Sequence, residues 1–323
     1  MKTMLYRDAI AEAHAEEMRR DKRVIVFGED VAKIGGLLKC TAGLYKEFGP
    51  ERVRDTPISE SAIAGLATGA AMAGARPVAE IMYIDFMGCC MDQVANQMAK
   101  MCYKSGGQHS VPLVLRTQCG RSHSSSMTQS QSLESWVTHI PGLKVVMPCT
   151  PRDAKGLLKT SIRDNNPVIF IEHKGLYQTK GEVPEEEYLI PLGKADVKRE
   201  GKDITLISWS KSVMTCLEAA KTLSEKGIEA EVLDLRSLVP LDFDAISTSI
   251  QKTGKAVVVH EAVLRGGFGG EIIAQIQEKL FDWLDAPIAR VCSLDIPVPF
   301  STDAENESAP TPGKVVSAVT AMV

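Results

Sequence analysis

The sequence predicts an α/β protein of two domains, each built on a parallel sheet. Short apolar runs of β type alternate with helix-type segments along almost the whole chain. Strands separated by helices pair in parallel and are covered on both faces. The chain has 323 residues, more than a single hydrophobic core usually serves.

The elements follow in order. Residues 7–20 are rich in Ala and Glu and predict a helix. The run RVIVF at 23–27 predicts a strand ending in Gly28-Glu29-Asp30. Then come a strand at 77–82, a helix at 86–104, a strand at 111–117, a short helix at 132–140, a strand at 144–148, a helix at 150–164 and a buried-type strand at 167–173. Residues 181–198 break the alternation with Pro184, Pro191, Gly193 and the acidic run Glu185-Glu186-Glu187, and read as a linker. Strands at 203–209, 231–235, 256–260 and 288–294 then alternate with helices at 213–226, 242–252, 269–284 and 312–323. The expected division is a first domain over 1–185, a linker over 186–200 and a smaller domain over 201–323.

Composition excludes several function classes. Hydrophobic residues make up 44% and charged residues 24%, with a net charge of −4 and no basic block. Nothing electrostatic points to nucleic acid or an anionic membrane. Residues 1–9 lack the apolar core of a signal peptide, and the uncharged stretch at 61–75 is too short to span a bilayer. The eight cysteines form no CxxC pair and no zinc spacing. They are expected to be buried, reduced thiols of a reducing compartment, the cytoplasm or a mitochondrial matrix. The six histidines do not pair at metal-ligand spacing. There is no GxxxxGK[ST], HExxH or GxSxG run, and the glycine-rich stretch 265–271 has Ile272 where a dinucleotide turn needs its third glycine. That stretch reads as a tight turn with close packing.

Three segments carry chemistry. In 55–77, Pro57 and Ser59 precede a helix that begins at Glu60, with Ala62, Gly65, Gly69 and Ala73 nearly on one face. Glycine in a helix costs roughly 0.5–1 kcal/mol, so two of them imply close approach of another helix. The helix lacks charge after Glu60 and is expected to be buried. Glu60 is then either a favourable charge at a helix N-terminus or a catalytic carboxyl. In 79–93, Met82 and Phe86 stand at a strand-to-helix junction, as core or as an apolar slot for a flat ring. The stretch 116–132, RTQCGRSHSSSMTQSQS, is a long polar loop, either mobile or functional.

Together these stretches resemble the β subunit of the thiamine-diphosphate-dependent decarboxylating component of 2-oxo-acid (pyruvate, branched-chain) or acetoin dehydrogenase complexes. The specific pieces are Gly28-Glu-Asp30, Asp55-Thr-Pro-Ile-Ser-Glu60, Arg76-Pro77, Asp92-Gln93, His139-Ile-Pro-Gly-Leu-Lys-Val-Val146, Asp153-Ala-Lys-Gly-Leu-Leu158, Arg163-Asp-Asn-Asn-Pro-Val168 and Pro297-Val-Pro-Phe300. The resemblance implies a transketolase-like pyrimidine-binding domain followed by a transketolase C-terminal-like domain. It implies that Glu60 bonds the cofactor's aminopyrimidine and promotes its imino tautomer. It also implies that Met82 and Phe86 pack around that ring, that Glu29 lies near it, and that the acyl group passes to lipoamide. A structural K⁺ would bind backbone carbonyls of Leu113, Ser161, Asp164 and Asn166. The chain lacks the Gly-Asp-Gly that holds Mg²⁺ and the diphosphate in such enzymes, so an α subunit is expected to supply them in an α₂β₂ tetramer with a second β subunit, docked on a dihydrolipoyl acyltransferase core.

One departure stands out. The loop carries Gln129 where many members of the family have a catalytic histidine. Glutamine cannot shuttle a proton at neutral pH, and the nearby His123 is the candidate to replace it. The stretches 190–200 and 285–288 resemble acetoin-type members most, a slight lean over pyruvate. The alternatives are a transketolase-like half-enzyme acting on sugar phosphates, for which no arginine and histidine cluster is found, and a non-catalytic scaffold subunit.

Overall fold

The computed structural model describes residues 1–122 and 124–323. His123, expected at the site, lies outside the described residues. Contacts divide the chain into two units, one of Met1–Cys119 with Trp136–Leu192 and one of Gly120–Ser135 with Gly193–Val323.

In the first unit a short strand β1 (Lys2–Leu5) leads into helix α1 (Tyr6–Arg20). Then follow β2 (Val24–Gly28), α2 (Leu44–Phe48), β3 (Val53–Asp55), α3 (Glu60–Met72) and β4 (Arg76–Ile81). After α4 (Met101–Lys104) come β5 (Val114–Cys119), the short helix α5 (Glu134–Thr138), whose first two residues belong to the second unit, β6 (Lys144–Val146), α6 (Pro151–Arg163), β7 (Val168–His173) and β8 (Lys180–Val183). Six strands lie in the order β6-β7-β5-β4-β2-β3, all parallel. Strands β4, β5 and β7 are almost wholly buried, as a sheet covered on both faces requires.

Local sequence explains the covering helices. Tyr6, Ile10, Ala13, His14 and Met18 of α1 are buried at helical spacing. Helix α6 starts where Pro151 occupies the first turn and the Thr150 side chain accepts a hydrogen bond from the Asp153 backbone N at 3.1 Å. The two helices pack together, and their seam carries ion pairs: Lys155 and Lys159 each lie 2.6 Å from Glu16, and Arg163 lies 2.6 Å from Glu17.

Inside the sheet sits a charged cluster. The Arg116 guanidinium on β5 donates to Glu172 on β7 at 2.7 Å through both Nε and Nη2, and to Glu80 on β4 at 2.6 Å. All three residues are buried. Burial works against the charge of Arg116, but Glu172 and Glu80 outweigh it and raise the guanidinium further above its ordinary value. Burial raises the Glu80 carboxyl. Tyr177 adds a bond to Glu172 at 2.6 Å.

The second unit holds a five-stranded sheet in the order β14-β13-β10-β11-β9. Its elements are β9 (Asp196–Arg199), β10 (Ile204–Ser208), α7 (Ser212–Ser224), β11 (Ala230–Asp234), β12 (Ser237–Val239), α8 (Phe243–Thr253), β13 (Ala256–Val263), α9 (Gly269–Leu280), β14 (Ala289–Ser293), α10 (Thr302–Ser308) and α11 (Pro312–Thr320). Strand β9 is an antiparallel edge, and the other four pair in parallel.

Three expectations need correction. The helix expected over 86–104 is broken into a 3₁₀ turn at Ile84–Cys90, a π turn at Gln93–Met98 and α4. Helical periodicity does not distinguish these hydrogen-bond patterns. The stretch read as a linker contains β8, antiparallel to β1, and part of β9. Its prolines lie between these short strands, where no ladder hydrogen bond is lost. Helix α3 is not buried all round: Ser61, Ala62, Leu66, Gly69 and Ala73 are exposed, and Leu66 is 58% exposed. Five cysteines are buried, Cys102 and Cys292 are half-buried, and Cys89 is exposed.

Replacing Arg116 with Met removes the one cation between two buried carboxylates. The expected loss is about 3–5 kcal/mol of unfolding free energy, read from the shift in urea midpoint at unchanged slope.

Candidate active site

Open parallel sheets bind ligands outside the carboxyl ends of their strands. In the first unit the carboxyl ends of β2, β3 and β4 deliver the residues in question. Glu29 follows β2, and Met82 follows β4 by one residue. Glu60 opens α3, five residues after Asp55 ends β3. Phe86 lies in the 3₁₀ turn after β4, edge-on to Tyr83 at 5.5 Å between ring centroids. Glu29, Glu60, Met82 and Phe86 are all half-buried.

The framework beneath them is tight. Gly28 pairs with Glu80 across β2 and β4, and a Cβ on Gly28 would lie 2.9 Å from the Glu80 carbonyl oxygen. Only glycine lets β2 run this close beneath Glu29. The Asp55 carboxylate accepts from the Ala32 backbone N at 2.7 Å, fixing the turn after Glu29 to the end of β3. Behind Tyr83, the Lys174 ammonium sits 5.3 Å from the ring centroid.

Electrostatics ties the two carboxylates together. Partial burial raises the Glu29 carboxyl, and the neighbouring Glu60, Asp30 and Glu80 add to the rise. Glu60 also acts on Cys90, whose thiol burial pushes up to about 12. Glu29 and Glu60 are thus electrostatic neighbours at the carboxyl ends of β2 and β3, and Met82 and Phe86 follow the same end of β4. A flat, partly polar ring with basic nitrogens suits such a lining.

Residue 129 lies in the segment 120–135, which belongs to the second unit. Gln129 is half-buried there. The residues expected to hold K⁺ cluster where α6 ends and β7 begins. The Leu113 carbonyl accepts from Val168 N at 3.0 Å and the Ser161 carbonyl from Asp164 N at 3.3 Å. The Asp164 carbonyl accepts from Arg76 Nη1 at 2.9 Å, and the Asn166 backbone N donates to the Asp164 carboxylate at 2.8 Å.

The transketolase pyrimidine-binding domain family matches residues 2–180. The transketolase C-terminal domain family matches residues 193–315. Acetoin:2,6-dichlorophenolindophenol oxidoreductase subunit beta of Bacillus subtilis (strain 168) is 52% identical over 322 residues, covering 96% of this chain and 94% of that one. The 2-oxoisovalerate dehydrogenase subunit beta of the same organism is 49% identical, covering 99% of this chain and 98% of that one. Its pyruvate dehydrogenase E1 component subunit beta is 48% identical, covering 93% of each. The chain belongs to this family of dehydrogenase E1 β subunits. A solved structure titled as a split gene transketolase, inactive beta4 tetramer, aligns with a TM-score of 0.81 at 24% identity, over 98% of this chain and 97% of that one, and shares the fold.

This E1 β-type chain is therefore of an oxidoreductase family, and its transketolase-type domains imply thiamine diphosphate as the cofactor. Among the described residues no helix is long and apolar enough to cross a membrane. Sequence reasoning passed over Glu80, Arg116 and Lys174, which support the site from below and behind. Glu80 and Arg116 had a visible signal, a charge inside an apolar strand.

The coupling between Glu29 and Glu60 can be measured. Replacing Glu60 with Gln removes a neighbouring negative charge, so the Glu29 carboxyl should titrate lower than in the wild type. Side-chain ¹³C NMR across pH 3–8 reads this, and an unmoved midpoint would separate the two groups.

Proposed function

We propose that the chain is the β half of an acetoin-type, thiamine-diphosphate-dependent dehydrogenase, working with an α subunit. The observation that supports the reading is that Glu29, Glu60, Met82 and Phe86 all follow the carboxyl ends of the adjacent strands β2, β3 and β4, with Glu29 and Glu60 close enough to influence each other. Bound there, thiamine diphosphate would supply a nucleophilic ring carbon and an electron sink. Glu60 would bond the aminopyrimidine and hold or release a proton at the ring nitrogen. Glu29, whose carboxyl partial burial and the neighbouring acids raise, would lie near that ring. Met82 and Phe86 would pack on the ring and exclude water.

The remaining parts follow from the same reading. This chain lacks Gly-Asp-Gly, so Mg²⁺ and the diphosphate would be held mainly by the α subunit. The exposed apolar side of α3, with Leu66 and the nearby Ile58 at 82% exposure, supports burial against a partner chain in an α₂β₂ tetramer. The second unit would serve assembly with a second β subunit and the dihydrolipoyl acyltransferase core. K⁺ would bind the carbonyls of Leu113, Ser161, Asp164 and Asn166, a corner that already attracts the Arg76 guanidinium. Gln129, with His123, would meet the substrate. The 52% and 49% identities favour acetoin over 2-oxoisovalerate by a narrow margin. The domains would be those expected, 1–185 and 201–323, except that 120–135 groups with the second unit.

Co-produced with its α partner and given thiamine diphosphate, the wild type should turn over acetoin faster than pyruvate. Glu60→Gln should lose about 10²-fold or more in kcat, the range of general acid–base catalysis. Full activity of that variant would favour a scaffold role, and preference for pyruvate would shift the substrate. Exchange of K⁺ for Na⁺ should lower the melting temperature if the carbonyl site is used.

A further inference from the structure

The second unit has a switch point of its own. Strand β10 is central. Helix α7 leads from it to β11 on one side, and α8 then leads to β13 on the other. The crevice outside the carboxyl ends of β10 and β13 is where an open sheet of this kind takes a ligand. Here it is filled by the protein's own side chains. Trp209, directly after β10, stacks on His260 of β13 at 5.1 Å and 12°, with Phe268 edge-on at 6.2 Å. A Cβ on Gly267 or Gly269 would lie 2.5 or 2.6 Å from the His260 ring, so the glycine-rich turn closes onto it.

The segment 120–135 docks onto this cluster. The Arg121 backbone N donates to Glu261 at 2.5 Å, and its guanidinium donates to Ser293 at the end of β14. Gly120 N donates to the Gln131 carbonyl at 3.0 Å, closing the segment into a loop. At the other end the Trp209 indole N–H donates to Glu134 Oε1 at 3.2 Å, and Glu134 Oε2 is buried without a partner. We infer that Glu134 is a positioning residue, whose buried carboxyl fastens the 120–135 loop, and Gln129 with it, into the ligand crevice of the second unit through Trp209.

Burial makes the hold of Glu134 depend on pH. The charged and titratable groups about it are few. Glu261 on β13 is an acid, and His260 behind the indole is lowered to about 4 by burial and so is neutral. The Arg121 guanidinium is turned to Ser293, with Glu305 of α10 near it. Burial raises the Glu134 carboxyl to about 7, against the bonds from its own backbone and from Trp209, and Glu261 adds to the rise. A folded-state value above the unfolded one means the loop is held most firmly below the ordinary carboxylate range. The hold weakens as pH rises toward and through about 7.

Hydrogen exchange on the full-length chain tests this, read on peptides within 120–135 and corrected for intrinsic exchange. Wild-type protection should fall about tenfold per pH unit between the ordinary carboxylate range and about 7, and level off above it. Glu134→Gln keeps an acceptor for the indole and cannot ionise, so its protection should be high and flat from about pH 5 to 8. Glu134→Ala and Trp209→Phe should be unprotected throughout. Flat wild-type protection, or a Glu134→Gln profile that follows the wild type, overturns the inference even if the alanine variant does not fold. Any effect on turnover rests on the proposed role of Gln129, whereas exchange reads the fixing of the loop alone.

Discussion

The first unit is organised around one buried cation. Arg116 is gripped by Glu172 on one side and Glu80 on the other, so three adjacent strands are locked in register by charge as well as by backbone ladders. Such a cluster is weak evidence for net stability, because desolvation offsets much of the attraction. Its effect is positional. Glu80 lies against Gly28, and Gly28 sets the height at which Glu29 leaves the sheet. The strand that Arg116 holds through Glu80 is thus the one against which Gly28, just before Glu29, is packed.

That arrangement also sets the electrostatics of the site. Two carboxylates share one guanidinium within the sheet, and Glu29 has Glu60, Asp30 and Glu80 as acidic neighbours. Partial burial and the neighbouring acids raise the Glu29 carboxyl. The partner chain implied by the family is consistent with the exposed side of α3, where small residues leave room for close approach.

The α/β class and most central elements were legible in the sequence, because buried parallel strands read as apolar runs and their covering helices as amphipathic ones. Strands β4, β5, β7, β10 and β13 and helices α1, α6, α7 and α8 all match segments expected from the pattern. Short pieces such as β1, β3, β8 and β12 were not legible, since three or four residues hold no period. The broken helix after β4 was missed because its 3₁₀ and π turns keep a helical pattern while changing the bonds.

The sequence by itself determined the fold class, the family and the residue types available for chemistry, since these depend on periodicity and on the order of local motifs. Only the tertiary structure decided which charges meet. Arg116 and Glu172 are 56 residues apart, and Trp209 and Glu134 are 75 apart. No local preference joins such pairs. Strand order and the burial that follows from it bring them within reach, and burial then decides which of the acids hold their protons.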